Sequence, residues 1–229
     1  MTMRQWDEDL WLFEGETVPF MGLPYATRMT VVRLPDGGLW VHSPIRLTPE
    51  RQRQLESLGP VHHLVAPNHL HHLFLDAWQR AYPGALTHGT PELIAKRRDL
   101  RFDGTLQAPH PDWQPVIDQR LFTGSPRMVE CVFFHRPSAT LIVADLVENF
   151  PPESLRPWQR WLARVTGILA PHGGMPLDWR LTFLGHRRTA RAHLEALLDW
   201  APERLILSHG RLIEHDAQAY LLRAFHWLR

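Results

Sequence analysis

Residues 61–66, Val-His-His-Leu-Val-Ala, form an apolar run of strand length, and directly beyond them the pattern changes. Leu70, Leu73, Phe74, Ala77, Trp78 and Ala81 recur at steps of three and four, the period of a helix. The change of period falls on Pro67-Asn68-His69-Leu70-His71-His72, so three imidazoles crowd a strand-to-helix junction. In an α/β protein that junction lies at the carboxyl edge of the sheet, where ligands bind. Neutral imidazole is also the commonest metal-donor side chain. Adjacent residues on a regular helix diverge by about 100°, so His71 and His72 serve one site only from a first turn that is still bending.

The rest of the chain alternates in the same way. Residues 1–27 read as irregular, with Trp6, Leu10, Trp11, Leu12 and Phe13 as apolar anchors. Residues 28–33 and 39–42 flank Pro35-Asp36-Gly37-Gly38, a hairpin signal. Thr48-Pro49-Glu50 starts a helix that stops at Gly59-Pro60. After the histidine turn a helix from about residue 69 ends before Pro83-Gly84, a brief strand covers 85–88 and a short helix 91–98. Residues 103–128 are rich in Pro and read as loop, with one short strand at 119–122. A second hairpin joins 129–134 to 139–144 around Arg136-Pro137-Ser138. Helices over 151–169, 189–200 and 216–228 surround a last strand at 205–208. Strands alternating with helices mean an α/β sheet covered by helices. No linker is evident, and one domain over 1–229 is expected.

At 229 residues and 44% hydrophobic, the chain can bury a core without a disulfide or a metal merely to fold. Twenty-five basic residues against 24 acidic ones leave no charge excess to suggest a nucleic-acid partner. A single Cys131 excludes an intrachain disulfide and fits a reducing compartment. Asp7, Glu8, Asp9 and Glu14 are wrong for a secretory signal, and the apolar runs fall well short of the roughly 20 residues that cross a bilayer. A cytoplasmic protein with no membrane or nucleic-acid partner is expected.

Three strands end at a metal-type donor: His69, His71 and His72 after 61–66, Asp145 after 141–144, and His209 after 205–208. Strands fix the backbone and loops present the donors into a cleft. The second hairpin pairs His135 with Thr140, and continuing that register brings Glu130 opposite Asp145. Opposed residues share a face with β-carbons about 5 Å apart. Two such carboxylates repel unless a cation or a shared proton lies between them, which makes Glu130 a candidate ligand or proton carrier. His135 falls on the other face. His42, His62, His63, His88, His110 and the remaining histidines are expected at the surface or in packing.

The order hairpin, strand, histidine turn and helix, then Leu-Ile-Val-Ala-Asp145-Leu, then Leu-Ile-Leu-Ser-His209-Gly resembles the metallo-β-lactamase-like hydrolase superfamily. The Pro-Asn-x-x-His-His-x-Phe stretch is similar to an uncharacterised "domain of unknown function" branch of it. The resemblance spans about residues 28–215 and implies a four-layer αββα sandwich with one or two metal ions at one edge. Laid on the family's His-x-His-x-Asp-His motif, His69 stands at the second His, His71 at the Asp and His72 at the last His. Pro67 occupies the first ligand's place. Asp145 matches the metal-bridging Asp and His209 the terminal ligand. No histidine between Arg120 and Ser125 matches the family's third-motif His, and Glu130 is the nearest substitute.

With these departures the resemblance implies at most one well-formed metal position, or an altered pair, with His71 or His72, Asp145 and His209 as ligands and His69 as a further candidate ligand. Zinc is expected, with iron or manganese as alternatives. The function that follows is metal-dependent hydrolysis of a small ester, thioester, amide or phosphoester substrate, with His71 and Glu130 in catalytic roles. The alternative is a degenerate, non-catalytic member acting as a binding or interaction protein.

Overall fold

The computed structural model describes residues 3–228. A first sheet holds seven strands in chain order: β1 (Met3–Asp7), β2 (Leu10–Phe20), β3 (Leu23–Arg33), β4 (Leu39–His42), β5 (Val61–Ala66), β6 (Leu86–Gly89) and β7 (Gly104–Thr105). It runs antiparallel through β4 and parallel from β4 to β7. Parallel neighbours need crossovers, supplied here by α1 (Pro49–Leu58), α2 (Leu75–Ala81) and α3 (Pro91–Lys96). The second sheet contains β8 (Ile117–Phe122), β9 (Glu130–His135), β10 (Thr140–Val143) and β11 (Arg204–Leu207) in the order β11-β10-β9-β8. Around it lie α4 (Pro157–Thr166), α5 (Leu177–Leu181), α6 (Arg187–Asp199) and α7 (Ala217–Ala224). Among the described residues no helix is long and apolar enough to cross a membrane.

Three apolar clusters define four layers. Leu64 and Ala66 of β5 meet Leu55, Leu75, Trp78 and Leu93 of the first three helices. On the other side of that sheet, Trp40 and Val65 meet Ile117, Phe133, Ile142 and Ile206 of the second. The far face of the second sheet packs on Leu194, Leu197, Tyr220 and Leu221. The fold is therefore helix, sheet, sheet, helix, as expected. α4 packs through Ala163 against Leu23 and Tyr25 of β3 and against Phe150, at one end of the sandwich.

Residues 61–66 form the expected strand, and α1 has its Thr48 cap, whose hydroxyl accepts from the Arg51 amide at 3.2 Å. The N-terminal segment is not irregular: it supplies β1, β2 and the start of β3. Leu10, Trp11, Leu12 and Phe13 are all buried, so β2 shows no alternation there and carries no period-two signal. The helix after the histidine turn begins at Leu75, not near residue 69. The Asn68 side chain accepts the amides of Leu70 and His71 at 2.8 and 3.2 Å, a local turn that competes with helix. The stretch 103–128 holds β7 and a β8 that begins at Ile117, and residues 177–181 form a short helix.

Candidate metal centre

Two strand ends and the histidine turn converge. His71 Nε2 stands 3.2 Å from Asp145 Oδ2, and His209 Nε2 stands 3.1 Å from Asp145 Oδ1. One donor atom from each residue lies within 4.8 Å of the others, so His71, Asp145 and His209 form a group able to grip one cation. The two imidazole rings are 5.3 Å apart.

The sequence positions each donor. Pro67 follows β5 and accepts the Cys131 amide at 2.8 Å, which joins the two sheets beneath the turn. Asn68, fully buried, donates from one amide nitrogen to Asp145 Oδ2 at 2.8 Å and to Glu130 Oε2 at 2.9 Å. Asp145 lies just past the end of β10, and Arg28 of β3 holds the His209 loop by donating to the carbonyls of Leu207 and Gly210. Gly210 has φ 96°, and a β-carbon there would meet the Asn149 carbonyl oxygen at 2.2 Å. Only glycine fits beside His209.

Both imidazoles are oriented from behind. His209 Nδ1 donates to the Ala26 carbonyl at 2.8 Å, which leaves Nε2 as the acceptor nitrogen facing Asp145. His71 Nδ1 pairs with the Ser43 hydroxyl at 2.5 Å, and Ser43 reaches it from a left-handed backbone with φ 54°. An outer hydrogen bond fixing the ring of each histidine is the arrangement metal ligands require. An acceptor nitrogen aimed at a carboxylate is unfavourable unless a cation or proton lies between them. His71, Asp145 and His209 therefore fit a metal ion by donor type and spacing.

Glu130 is completely buried and lies outside the donor group. Its carboxylate accepts the amides of Ala144 and Asp145 at 2.8 Å, the Leu146 amide at 3.2 Å, and Asn68. Burial and the Asp145 charge push it up to about 7, against the pull of these donors. The hairpin register is as expected, with His135 opposite Thr140, but β10 ends at Val143, and Glu130 reaches the Asp145 loop through its side chain rather than across a ladder. It braces the loop that carries Asp145. His69 and His72 also stand apart from the group. His72 Nδ1 meets an Arg97 Nη1 at 2.6 Å, and burial with the Lys96 and Arg97 charges holds its pKa down to about 4. Adjacent positions diverge, and of the two only His71 is delivered.

Sequence reasoning missed Ser43, Asn68, Tyr25 and Glu148. Glu148 is buried, accepts from the Tyr25 hydroxyl at 3.2 Å, and is raised well above the usual carboxylate range by burial and then by Asp145. Tyr25 in turn packs edge-on against His209 at 4.9 Å. Asn68 left a trace inside the histidine motif, and Glu148 one three residues after Asp145. A groove of about 560 Å³ lined by Ala26, Arg28, Phe150 and Gly210 adjoins the His209 loop, and none of the three donors lines it.

Comparison with known proteins agrees with this architecture. The chain superposes on a metallo-β-lactamase from Pontibacter korlensis with TM-score 0.66 and 13% identity, covering 99% of this chain and 98% of that one. A structure of the DIM-1 metallo-β-lactamase exposed to ceftazidime gives TM-score 0.65 at 14% identity, over 99% and 95%. Rubredoxin oxygen:oxidoreductase from Desulfovibrio gigas gives 0.67 at 11%, over 99% of this chain but 61% of that one. At such identities the likeness shows the fold alone. No curated protein matches the chain. A family model matches residues 7–159, a stretch that includes His71, Glu130 and Asp145 while His209 lies beyond it. The chain belongs to the family described as a domain of unknown function, DUF4336.

Proposed function

We propose that this protein is a metal-dependent hydrolase with a single atypical metal position held by His71 Nε2, His209 Nε2 and the Asp145 carboxylate. The observation that supports it best is the 3.1–3.2 Å approach of two ring nitrogens to one carboxylate, with both rings braced from behind. A zinc ion held there would polarise an ester, thioester, amide or phosphoester substrate and lower the pKa of water toward about 7; iron or manganese suits the same donors. Asp145 supplies the charge and Asn68 fixes one of its oxygens. Glu130 holds the Asp145 loop rather than meeting substrate. Burial and then the Asp145 charge raise the Glu148 carboxyl well above the usual carboxylate range, and it accepts from the Tyr25 hydroxyl at 3.2 Å. The test is hydrolysis of a panel of small esters, thioesters and phosphoesters by chelator-treated protein before and after zinc is restored. Asp145→Asn and His209→Ala should each abolish the metal-restored rate.

One observation favours the rival, a non-catalytic member that binds. The side chains of His71, Asp145 and His209 keep only 7–9% of their exposure, which leaves a substrate little access to an ion between them. Stoichiometric metal with no turnover on the whole panel would select this reading.

A further inference from the structure

A second imidazole group lies on the inner face of the first sheet and shares no residue with the first. His63 of β5 and His88 of β6 are buried, at 1% and 2% exposure, where sequence suggested surface or packing. His110, from the loop joining β7 to β8, completes a triangle of rings with centroids 5.1–5.3 Å apart. Buried Trp113 packs against all three at 4.8–5.1 Å. Asp112 closes the open side: its Oδ2 is 3.1 Å from His63 Nε2 and 3.5 Å from His110 Nδ1.

Two ring nitrogens of this group turn toward one carboxylate. The Asp112 amide points at His110 Nδ1 from 3.3 Å, which marks that nitrogen as an unprotonated acceptor 3.5 Å from a carboxylate oxygen; an ion bound there takes the lone pair in place of this long amide contact. His63 Nδ1 faces His88 Nε2 at 3.2 Å, and His63 Nε2 is buried with no hydrogen bond among the described residues, its approach to Asp112 close but misaligned. If His63 donates through Nδ1 to His88, then His63 Nε2 is a lone pair aimed at Asp112, and His88 becomes the outer partner that fixes the ring. Tetrahedral zinc with bonds of about 2.0–2.1 Å holds its donors about 3.3 Å apart, and Asp112 Oδ2 stands 3.1 and 3.5 Å from the two ring nitrogens. The three donor atoms all lie within 4.8 Å of one another.

We infer that His63 Nε2, His110 Nδ1 and Asp112 form a second divalent transition-metal site of the zinc class, with one position open to solvent. Asp112 and His110 are the exposed donors, at 45% and 31% of their side chains, so an ion enters from that side. Bound there, it ties the loop that links the two sheets to the middle of β5. Two residues separated by Pro111 supply most of the grip, and proline limits how far His110 and Asp112 can part.

The test uses full-length, chelator-treated protein and zinc alone, with bound metal counted after equilibrium dialysis. Asp112→Asn alters an exposed position and His110→Ala a half-buried one, and circular dichroism checks that both fold. Each is expected to bind one equivalent fewer than wild type at low micromolar zinc, or to bind it at least about tenfold more weakly. In a His71→Ala/His209→Ala background zinc should still raise Tm, and adding Asp112→Asn should remove the rise. If folded Asp112→Asn and His110→Ala both keep the wild-type count and affinity, the second site does not exist. Should the background variant not fold, the wild-type comparison decides by itself.

Discussion

A single amide nitrogen of Asn68 donates to Asp145 at 2.8 Å and to Glu130 at 2.9 Å, so one neutral side chain separates two buried carboxylates. The Asn68 carbonyl oxygen meanwhile shapes the turn that delivers His71. Asn68→Ala removes both services and leaves buried acceptors unpaired, at a cost of about 3 kcal/mol. Asn68→Asp adds a third carboxylate and should cost more. Urea unfolding of chelator-treated protein checks this; a loss below about 1 kcal/mol for Asn68→Ala contradicts it.

Gly210→Ala is expected to disturb the centre although residue 210 donates nothing to it. The backbone there is left-handed, and a β-carbon added to it would stand 2.2 Å from the Asn149 carbonyl oxygen, so the His209 loop is forced outward. The loss should be about 1–3 kcal/mol in stability, with weaker metal binding at the His71, Asp145 and His209 group. Unchanged zinc affinity in Gly210→Ala means that the loop is less constrained than its backbone indicates.

Buried histidines should make the protein acid-labile. Burial holds His135 down to about 4 and, with the His71 charge, His42 down to about 3, from an ordinary 6.5. Each is neutral in the fold and takes up a proton on unfolding, so its contribution is complete above pH 6.5 and is lost as pH falls toward the folded value. Stability should drop by about 1.4 kcal/mol per pH unit for each such group in that window. Urea midpoints from about pH 7 to about pH 4.5 give the slope, and a flat profile refutes it.

His42→Leu isolates one of these groups. Among the described residues neither ring nitrogen of His42 has a hydrogen-bond partner, and the ring stacks on Trp40 at 5.5 Å. Removing an unpaired polar ring is nearly neutral, so stability at neutral pH should change by less than about 1 kcal/mol while the acid slope falls by one proton. A large loss at neutral pH would reveal a partner for His42 that the fold does not show.

Much of the fold was legible because its signals are local: the strand at 61–66, the capped helix after Thr48 and the hairpin around Pro137 depend on neighbouring residues. β2 was not, since its first four residues are buried on both faces and give no period to read. Within the centre, strand ends announced Asp145 and His209, but choosing His71 over His72 needs the direction of one turn set by the Asn68 side chain. Ser43, Tyr25 and Glu148 reach the site from other parts of the chain, and nothing local marks them. His63, His88 and His110 looked like scattered histidines because only the pairing of β5 with β6 and the fold of a proline-rich loop bring them together.

The central claim is that His71, Asp145 and His209 hold one metal ion. Cobalt titration of chelator-treated protein, followed by its visible absorption, tests it in an Asp112→Asn background that disables the other histidine group. One equivalent with a low-symmetry cobalt spectrum, lost in His209→Ala and in Asp145→Asn, is the predicted result. No stoichiometric uptake by folded protein, or uptake that survives both substitutions, contradicts it.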